Sequence, residues 1–533
     1  MIKHIALTII GITLIYFSHY FMDNSINEKE ALNLTVASES KGEAPEIVIA
    51  TKLLGGFRGI LIDVLWIRAI NLESEGKYFE IAQLFDLISK LEPRVPSVWS
   101  YASWNLTYNI SKEVPELDQK WEWVKSGAYL LRNKGLVYCP REYKLYDDLA
   151  YIYYHKIGGS TDESNDYFKS MHATEMDIIF GDNFNTSDYL DNIPIDDIRK
   201  SKEGDELFYK LKDPIFRKLL FRTLVRQIKA TDEIAELLKK NQKEKIFIDV
   251  VKYYRKQAIE TELCMDLKII KEVEDRYGKM EWKSAVSHGL YWAYAGMRNA
   301  TAKQLTTERL ETYILKDIFF FGSVYPIFDK NGNKHFEFGP DFSKAEVLHK
   351  QYLYYLDKYP SDNITMTFYY AYRSFLETIV LELYMRGDFK TAEKYFNEGK
   401  LPLKDYGMPA TVQELVDGAF KKALSGRTDQ EHIMMIFSPI ERYYKDKFIL
   451  KKIENTETFF ANFIIKNYTE WKDKTVKSRT KLPPTLKEIQ VLVLTKMINE
   501  YSGINQEYID LLQQERDKLK GEVDSHDTAP DKK

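Results

Sequence analysis

The residues of this chain that could do chemistry are few, and each group lacks part of the spacing its chemistry needs. Gly55, Gly56 and Gly59 lie between an apolar run and a helix-forming stretch, where a phosphate-cradling loop would sit. A dinucleotide site needs G-x-G-x-x-G and a nucleoside triphosphate loop needs a Lys after its last Gly; neither pattern is present. The glycines read instead as points of close backbone approach. Asp329, Asn331 and Asn333 imitate the opening of a calcium loop, but Pro340 stands where a bidentate Glu is required. His288 has Trp292, not a second ligand, four residues on, so it reads as a packed histidine. Cys139 and Cys264 have no metal-ligand spacing and are too few for a disulfide framework, so they read as buried apolar residues. No G-x-S-x-G or H-E-x-x-H occurs. The expectation is therefore no enzyme, no cofactor and no metal.

What remains is surface, and a surface needs elements to hold it. From Ile62 to Pro96 the sequence predicts two helices broken at Gly76. Leu65, Ala69 and Leu72 share one face of the first, and Tyr78, Ile81, Phe85 and Ile88 one face of the second. Pro93 forbids continuation. Such a hairpin cannot bury its stripe alone, and Trp99 opens the next unit 34 residues after Leu65.

These residues resemble the tetratricopeptide (TPR) family. Gly76, Tyr78, Phe85 and Pro93 fit its second helix, with Ile81 where Ala is usual. Trp99, Ala102 and Ser103 fit the next first helix, and Tyr146, Leu149, Ala150 and Tyr153 a third. Leu376, Ile379, Gly387, Phe389, Ala392 and Phe396 repeat the phase downstream, so the resemblance covers about a third of the chain in two blocks. It implies an all-α TPR-like solenoid of antiparallel helix hairpins whose first helices line a groove. By that resemblance the groove carries Trp66, Glu73, Trp104, Tyr108, Tyr151, Tyr154 and His155. Insertions that rotate the repeats would turn the same residues into contacts between repeats. A lining this aromatic suits an extended apolar ligand, a glycan or a partner helix, because flat rings bring large contact area at low entropy cost.

The other expectations follow from composition and order. A chain of 533 residues exceeds one ordinary core, so it needs several domains or an elongated array. Formal charge of -4, from 76 basic and 80 acidic residues, offers no bulk attraction for nucleic acid. The basic residues Arg217, Lys218, Arg222, Arg226 and Lys229 read as the solvated side of a helix whose apolar side is Phe216, Leu219, Leu220 and Leu224. The apolar run Ile5 to Phe21 is near the shortest that spans a bilayer. Bulky Tyr16, Phe17, Tyr20 and Phe21 fill the place of a cleavage site, which favours an uncleaved anchor over a cleaved signal. Lys3 keeps the amino end cytoplasmic and puts the body outside the cytoplasm, in the periplasm of a bacterium.

The expected order is an anchor at 1–23, a tether at 24–46 and TPR-like repeats at 47–181. A divergent helical region with a β-hairpin around Asn331-Gly332 follows at 182–342, then a second TPR-like region at 343–514 and a disordered charged tail at 515–533. The function these imply is a membrane-anchored scaffold or adaptor that binds proteins or peptides in a cell-envelope assembly. The alternative is an extracytoplasmic carrier or chaperone for an exported polymer or polypeptide. An enzyme with its site near Ile318 to Phe342 has least support. Oligomeric state is open at this level.

Overall fold

A computed structural model of the chain describes Phe17 and residues 57–527, apart from Thr161, Asn192 and the stretches 301–304, 330–333, 360–365, 425–428, 452–454, 477–483 and 502–505. The expected anchor and tether, Gly55, Gly56 and the Asn331-Gly332 turn lie outside the described residues, Phe17 excepted. The described chain is mostly helical, so the fold is all-α, and its strands form one two-stranded sheet. Among the described residues no helix is long and apolar enough to cross a membrane. Contacts divide the chain into two compact units, Met1–Cys139 and Pro140–Lys533.

The first unit begins with helix α1, Phe57–Ser74, and helix α2, Tyr78–Leu91. Gly76 takes a left-handed φ of 71° between them. Its N–H donates to the Glu73 carbonyl at 3.0 Å, and the Lys77 N–H reaches back to Leu72 at 2.9 Å. That pair of bonds satisfies carbonyls the helix end would otherwise leave open, and it needs a residue without Cβ strain at its centre. The predicted faces then close on each other: Leu65, Ala69, Leu72, Ile81, Phe85 and Ile88 are all buried in one cluster with Val98 and Ala102. Burying each large aliphatic side chain contributes roughly 1.5–3 kcal/mol, so this cluster carries the hairpin.

Helix α3, Pro96–Trp104, starts on a proline and runs on as a wider π turn over Asn105–Ile110. Trp99 is anchored where the chain enters: its indole N–H donates to Pro93 at 2.7 Å and its ring lies flat against Tyr138. Helix α4, Leu117–Leu130, packs tightly on the α3 region through Gly127. A Cβ at Gly127 would come 2.0 Å from the Thr107 hydroxyl and 2.9 Å from the Ser103 carbonyl.

In the second unit, helix α5 is Tyr143–Tyr151, continued by a π turn over Ile152–Ile157, and α6 is Asn165–Phe180. The repeat reading pairs α5 with its chain neighbours; the structure also lays it against helix α12, Ala285–Asn299, far downstream. Helices α7 (Lys202–Lys212), α8 (Pro214–Leu224), α9 (Asp232–Asn241), α10 (Lys245–Gln257) and α11 (Leu267–Tyr277) intervene. The reason for the close approach is a pair of glycines one heptad apart on α12. A Cβ at Gly289 would meet the Ala150 carbonyl at 3.2 Å, and one at Gly296 would meet the Tyr146 Cβ at 2.7 Å. Small residues let backbones approach where large ones would not.

Helix α13, Leu305–Phe321, leads into strands β1, Ser323–Phe328, and β2, Lys334–Gly339. They pair antiparallel with Ser323 opposite Gly339 and Phe328 opposite Lys334. Helices α14 (Lys344–Lys358), α15 (Met366–Met385) and α16 (Phe389–Lys400) follow. Gly387, between α15 and α16, has φ 81° and repeats the closure seen at Gly76, with Asp388 bonding back to Leu383 at 2.9 Å. Later helices include α17 (Asp429–Tyr444), α18 (Leu486–Glu500) and α19 (Gln506–Asp527), with further helices at Val412–Leu424 and Lys466–Val476. Where composition predicts a disordered tail from residue 515, the chain is helical as far as Asp527. Ile509, Leu512 and Leu519, three and seven residues apart, are buried in the carboxy-terminal core, and this sparse stripe suffices to hold α19 down. Residues 528–533 lie outside the described residues.

Candidate functional site

The seven predicted groove residues divide between the two units. In the first unit Trp66 faces inward. Its ring meets Phe85 edge-on at 4.8 Å and Tyr101 at 5.6 Å, which makes it part of the α1–α2–α3 packing. Glu73, on the next turns of α1, accepts a hydrogen bond from the Tyr101 hydroxyl. Burial and that carboxylate together push the Tyr101 hydroxyl well above the ordinary tyrosine range. Trp66 and Glu73 are thus joined through Tyr101, a residue outside the predicted set.

Trp104 and Tyr108 form the other pair of the first unit. Their rings stack at 4.1 Å across the start of the π turn, with Tyr108 buried and Trp104 48% exposed. The π turn carries this pair, since it inserts an extra residue per turn and shifts the phase of the side chains beyond Trp104. A large ring held by a second ring and half open to solvent is what a docking site for a flat or apolar group requires.

In the second unit Tyr151, Tyr154 and His155 come together. Tyr151 stacks on His155 at 4.7 Å and meets Tyr154 at 6.2 Å. Burial, with the Lys156 charge beside it, lowers the His155 pKa and favours the neutral ring. Burial raises the Tyr154 hydroxyl, and the negative charge of Asp317 adds to the effect. Two carboxylic acids accompany the triad. Asp147 on α5 accepts from the Thr307 hydroxyl at 2.7 Å and from Thr306 at 3.4 Å, and burial lifts its pKa to about 6. Burial likewise lifts Asp317 on α13 to about 6, against the opposing charges of Lys316 and Lys169.

Several polar clusters stand outside the residues that the sequence singles out. Lys334 at the start of β2 binds Asp177 of α6 at 3.1 Å and also Asp182, while Lys283 reaches the same two carboxylates at 3.5 and 3.6 Å. Although burial works the other way, Lys334, Lys283 and Arg226 hold Asp182 below the ordinary carboxylate range. This network ties the ribbon to α6. Glu311 on α13 is fully buried and accepts from the Tyr277 and Tyr355 hydroxyls. His349 on α14 lies 2.7 Å from Glu398 of α16 and 3.1 Å from the Tyr372 hydroxyl of α15, linking three helices. Buried polar groups satisfied in this way fix register between elements. The one sequence signal is an acid on an apolar face: Glu308 and Glu311 stand on the side of α13 that carries Leu315 and Ile318.

Beside the second closure glycine, Tyr384, Phe389, Glu393, Phe396 and Val412 line an open cleft of about 390 Å³. No group of three or more His, Cys, Asp or Glu residues among the described residues is arranged to hold a metal ion. Neither cysteine is in a disulfide; Cys139 is buried as expected, whereas Cys264, at a positive φ of 48° where its thiol donates to the Thr261 carbonyl, is only partly buried. Comparison with protein-family models, with curated proteins and with solved structures finds no match for this chain.

Proposed function

We propose that the chain is a membrane-anchored, TPR-like scaffold or adaptor that docks protein partners in a cell-envelope assembly. The observation that carries the reading is Trp104, a half-exposed indole stacked on buried Tyr108 at a position the repeat phase assigns to the groove. The shared helix closure at Gly76 and Gly387, in the two segments that resemble the family, supports a common hairpin unit. Binding rather than turnover is the mechanism: packed hairpins hold the rings rigid, and an anchor at residues 1–23 concentrates the body at one membrane face.

The test places a photo-crosslinking phenylalanine analogue at position 104 of the full chain in its native membrane. A discrete adduct to one protein, lost when Tyr108→Ala frees the ring, is the expected result. An adduct pattern indistinguishable from that of the same analogue at exposed Tyr209 overturns the reading. In a chain without the analogue, Trp104→Ala is expected to lower co-purification of the partner that the adduct identifies at least tenfold while the thermal midpoint stays unchanged, because truncating an aromatic anchor in an interface typically costs about 2 kcal/mol or more.

A further inference from the structure

Helix α1 is apolar on both sides. Its inward face, Ile62, Leu65, Ala69 and Leu72, is buried in the first unit. Its outward face carries Ile60, Val64 and Ile67, which are 61%, 56% and 60% exposed. A second apolar stripe left open on a helix already packed on its other side points to an occupant.

The spacing of that face says what covers it. Ile60 and Ile67 are one heptad apart, as are Val64 and Asn71, and the two pairs interleave at intervals of four, three and four. This is the a/d spacing of a coiled coil, with Ile60 and Ile67 at d and with β-branched Val64 and polar Asn71 at a, the position where one Asn sets register and favours two strands. The flanking charges agree. Asp63 and Arg68 are both exposed, on opposite sides of the seam and five residues apart. In a parallel pair, Asp63 of one helix faces Arg68 of the other, twice by symmetry; an antiparallel pair would set like charges side by side. A bilayer is the poorer occupant, since Asp63 and Asn71 would be drawn into the headgroup boundary with the isoleucines.

We infer that α1 is a parallel homodimerisation helix, and that a second copy of this chain lays its own α1 along the Ile60–Val64–Ile67–Asn71 seam. The inference is independent of the proposed scaffold role. Because α1 is already held on the core of its own unit, pairing has little helix to order, and a seam of two heptads suffices. An interface this short lies at the weak end of specific contacts, so association follows concentration.

The experiment measures the mass of the full chain in detergent by sedimentation velocity, from about 1 to about 100 µM, a range that brackets weak dimers. The expected result is a dimer at the upper end. Val64→Glu should abolish it. Asp63→Arg alone and Arg68→Asp alone should each weaken it at least tenfold, and the double exchange Asp63→Arg/Arg68→Asp should restore it to within about threefold. These side chains are exposed, so circular dichroism and the thermal midpoint should not change at about 1 µM, where the chain is monomeric. Val64→Cys, in a chain also carrying Cys139→Ser and Cys264→Ser, should give a disulfide-linked dimer on mild oxidation, because the parallel seam brings the two copies of position 64 together. A chain that stays monomeric throughout overturns the inference. So does a dimer indifferent to Val64→Glu, a charge exchange that fails to restore pairing, or a Val64→Glu effect seen only as lost binding to lipid vesicles.

Discussion

At the residue scale the most informative groups are the two acids beside the Tyr151, Tyr154 and His155 triad. Folding raises Asp147 and Asp317 from 3.8 to about 6, with burial the main cause in each. A raised carboxyl pKa means that the folded chain holds the proton more tightly than the unfolded one. Stability from these groups is therefore fully present below the unfolded value, falls as pH rises through about 6, and is flat above. Asp147→Asn keeps an acceptor for the Thr307 hydroxyl and removes the charge. It should stabilise the chain at pH 7.5 by about 1–2 kcal/mol, allowing for partial solvent access, and leave it unchanged near pH 4. Urea unfolding at the two pH values measures this, and an equal effect at both would show that burial does not perturb Asp147. His155 has the opposite sign: its lowered pKa disfavours the folded state as pH falls through the histidine range. The buried pair Lys334 and Asp177 makes a second case. Lys334→Met keeps the length of the side chain but leaves Asp177 and Asp182 short of their nearest cation, and should cost about 3–5 kcal/mol in the same urea measurement. A loss below about 1 kcal/mol would mean that Lys283, with Arg226 on Asp182, satisfies both carboxylates.

At the element scale glycine decides how helices turn and how closely they pack, and the two roles predict different costs. Gly76 and Gly387 have positive φ; nothing lies within 4 Å of a Cβ at Gly76, so alanine there strains only the backbone, by about 1 kcal/mol, whereas at Gly387 a Cβ would also press the Thr458 methyl at 3.2 Å. Gly296 has an ordinary helical backbone, but its Cβ would overlap the Tyr146 side chain, and overpacking there should cost about 1–3 kcal/mol. Thermal unfolding of the three alanine variants orders them, and a Gly296→Ala variant no less stable than wild type would mean that α12 can slide on α5. The same contrast explains what was legible in the sequence. Gly76 and Gly387 stand out because each interrupts an apolar period and is followed by an aromatic residue within two places. Gly289 and Gly296 lie inside an unbroken aromatic helix, and their partners, Ala150 and Tyr146, are more than a hundred residues away, so nothing local signals the contact. The groove shows the same limit: repeat phase treats Trp66 and Trp104 alike. Tyr101 draws Trp66 inward, and the π turn leaves Trp104 outward, and neither is visible in the spacing. The ion network at Lys334 is hidden for a simpler reason, since lysines and aspartates are too common for one pair to be noticed.

At the scale of the whole molecule the question is what holds the chain to its place of work. Among the described residues no helix is long and apolar enough to cross a membrane, so a spanning segment, on the anchored reading, falls to the run from Ile5 to Phe21. The outward face of α1 is an apolar surface near that end among the described residues, and the two make separable contributions. A chain lacking residues 1–23 should leave the membrane fraction for the soluble one under low-salt conditions, with its helical content unchanged, because α1 is occupied by a second copy rather than by lipid. If α1 lies on the bilayer instead, the truncated chain should stay peripheral and be released by alkaline carbonate, and Val64→Glu should release it without carbonate. Fractionation of the truncated chain, with and without Val64→Glu, therefore separates a single tether from a tether plus a lipid-facing helix. A truncated chain that resists carbonate extraction would remove Ile5 to Phe21 as the anchor altogether, since a burden of one shallow amphipathic face cannot withstand that treatment.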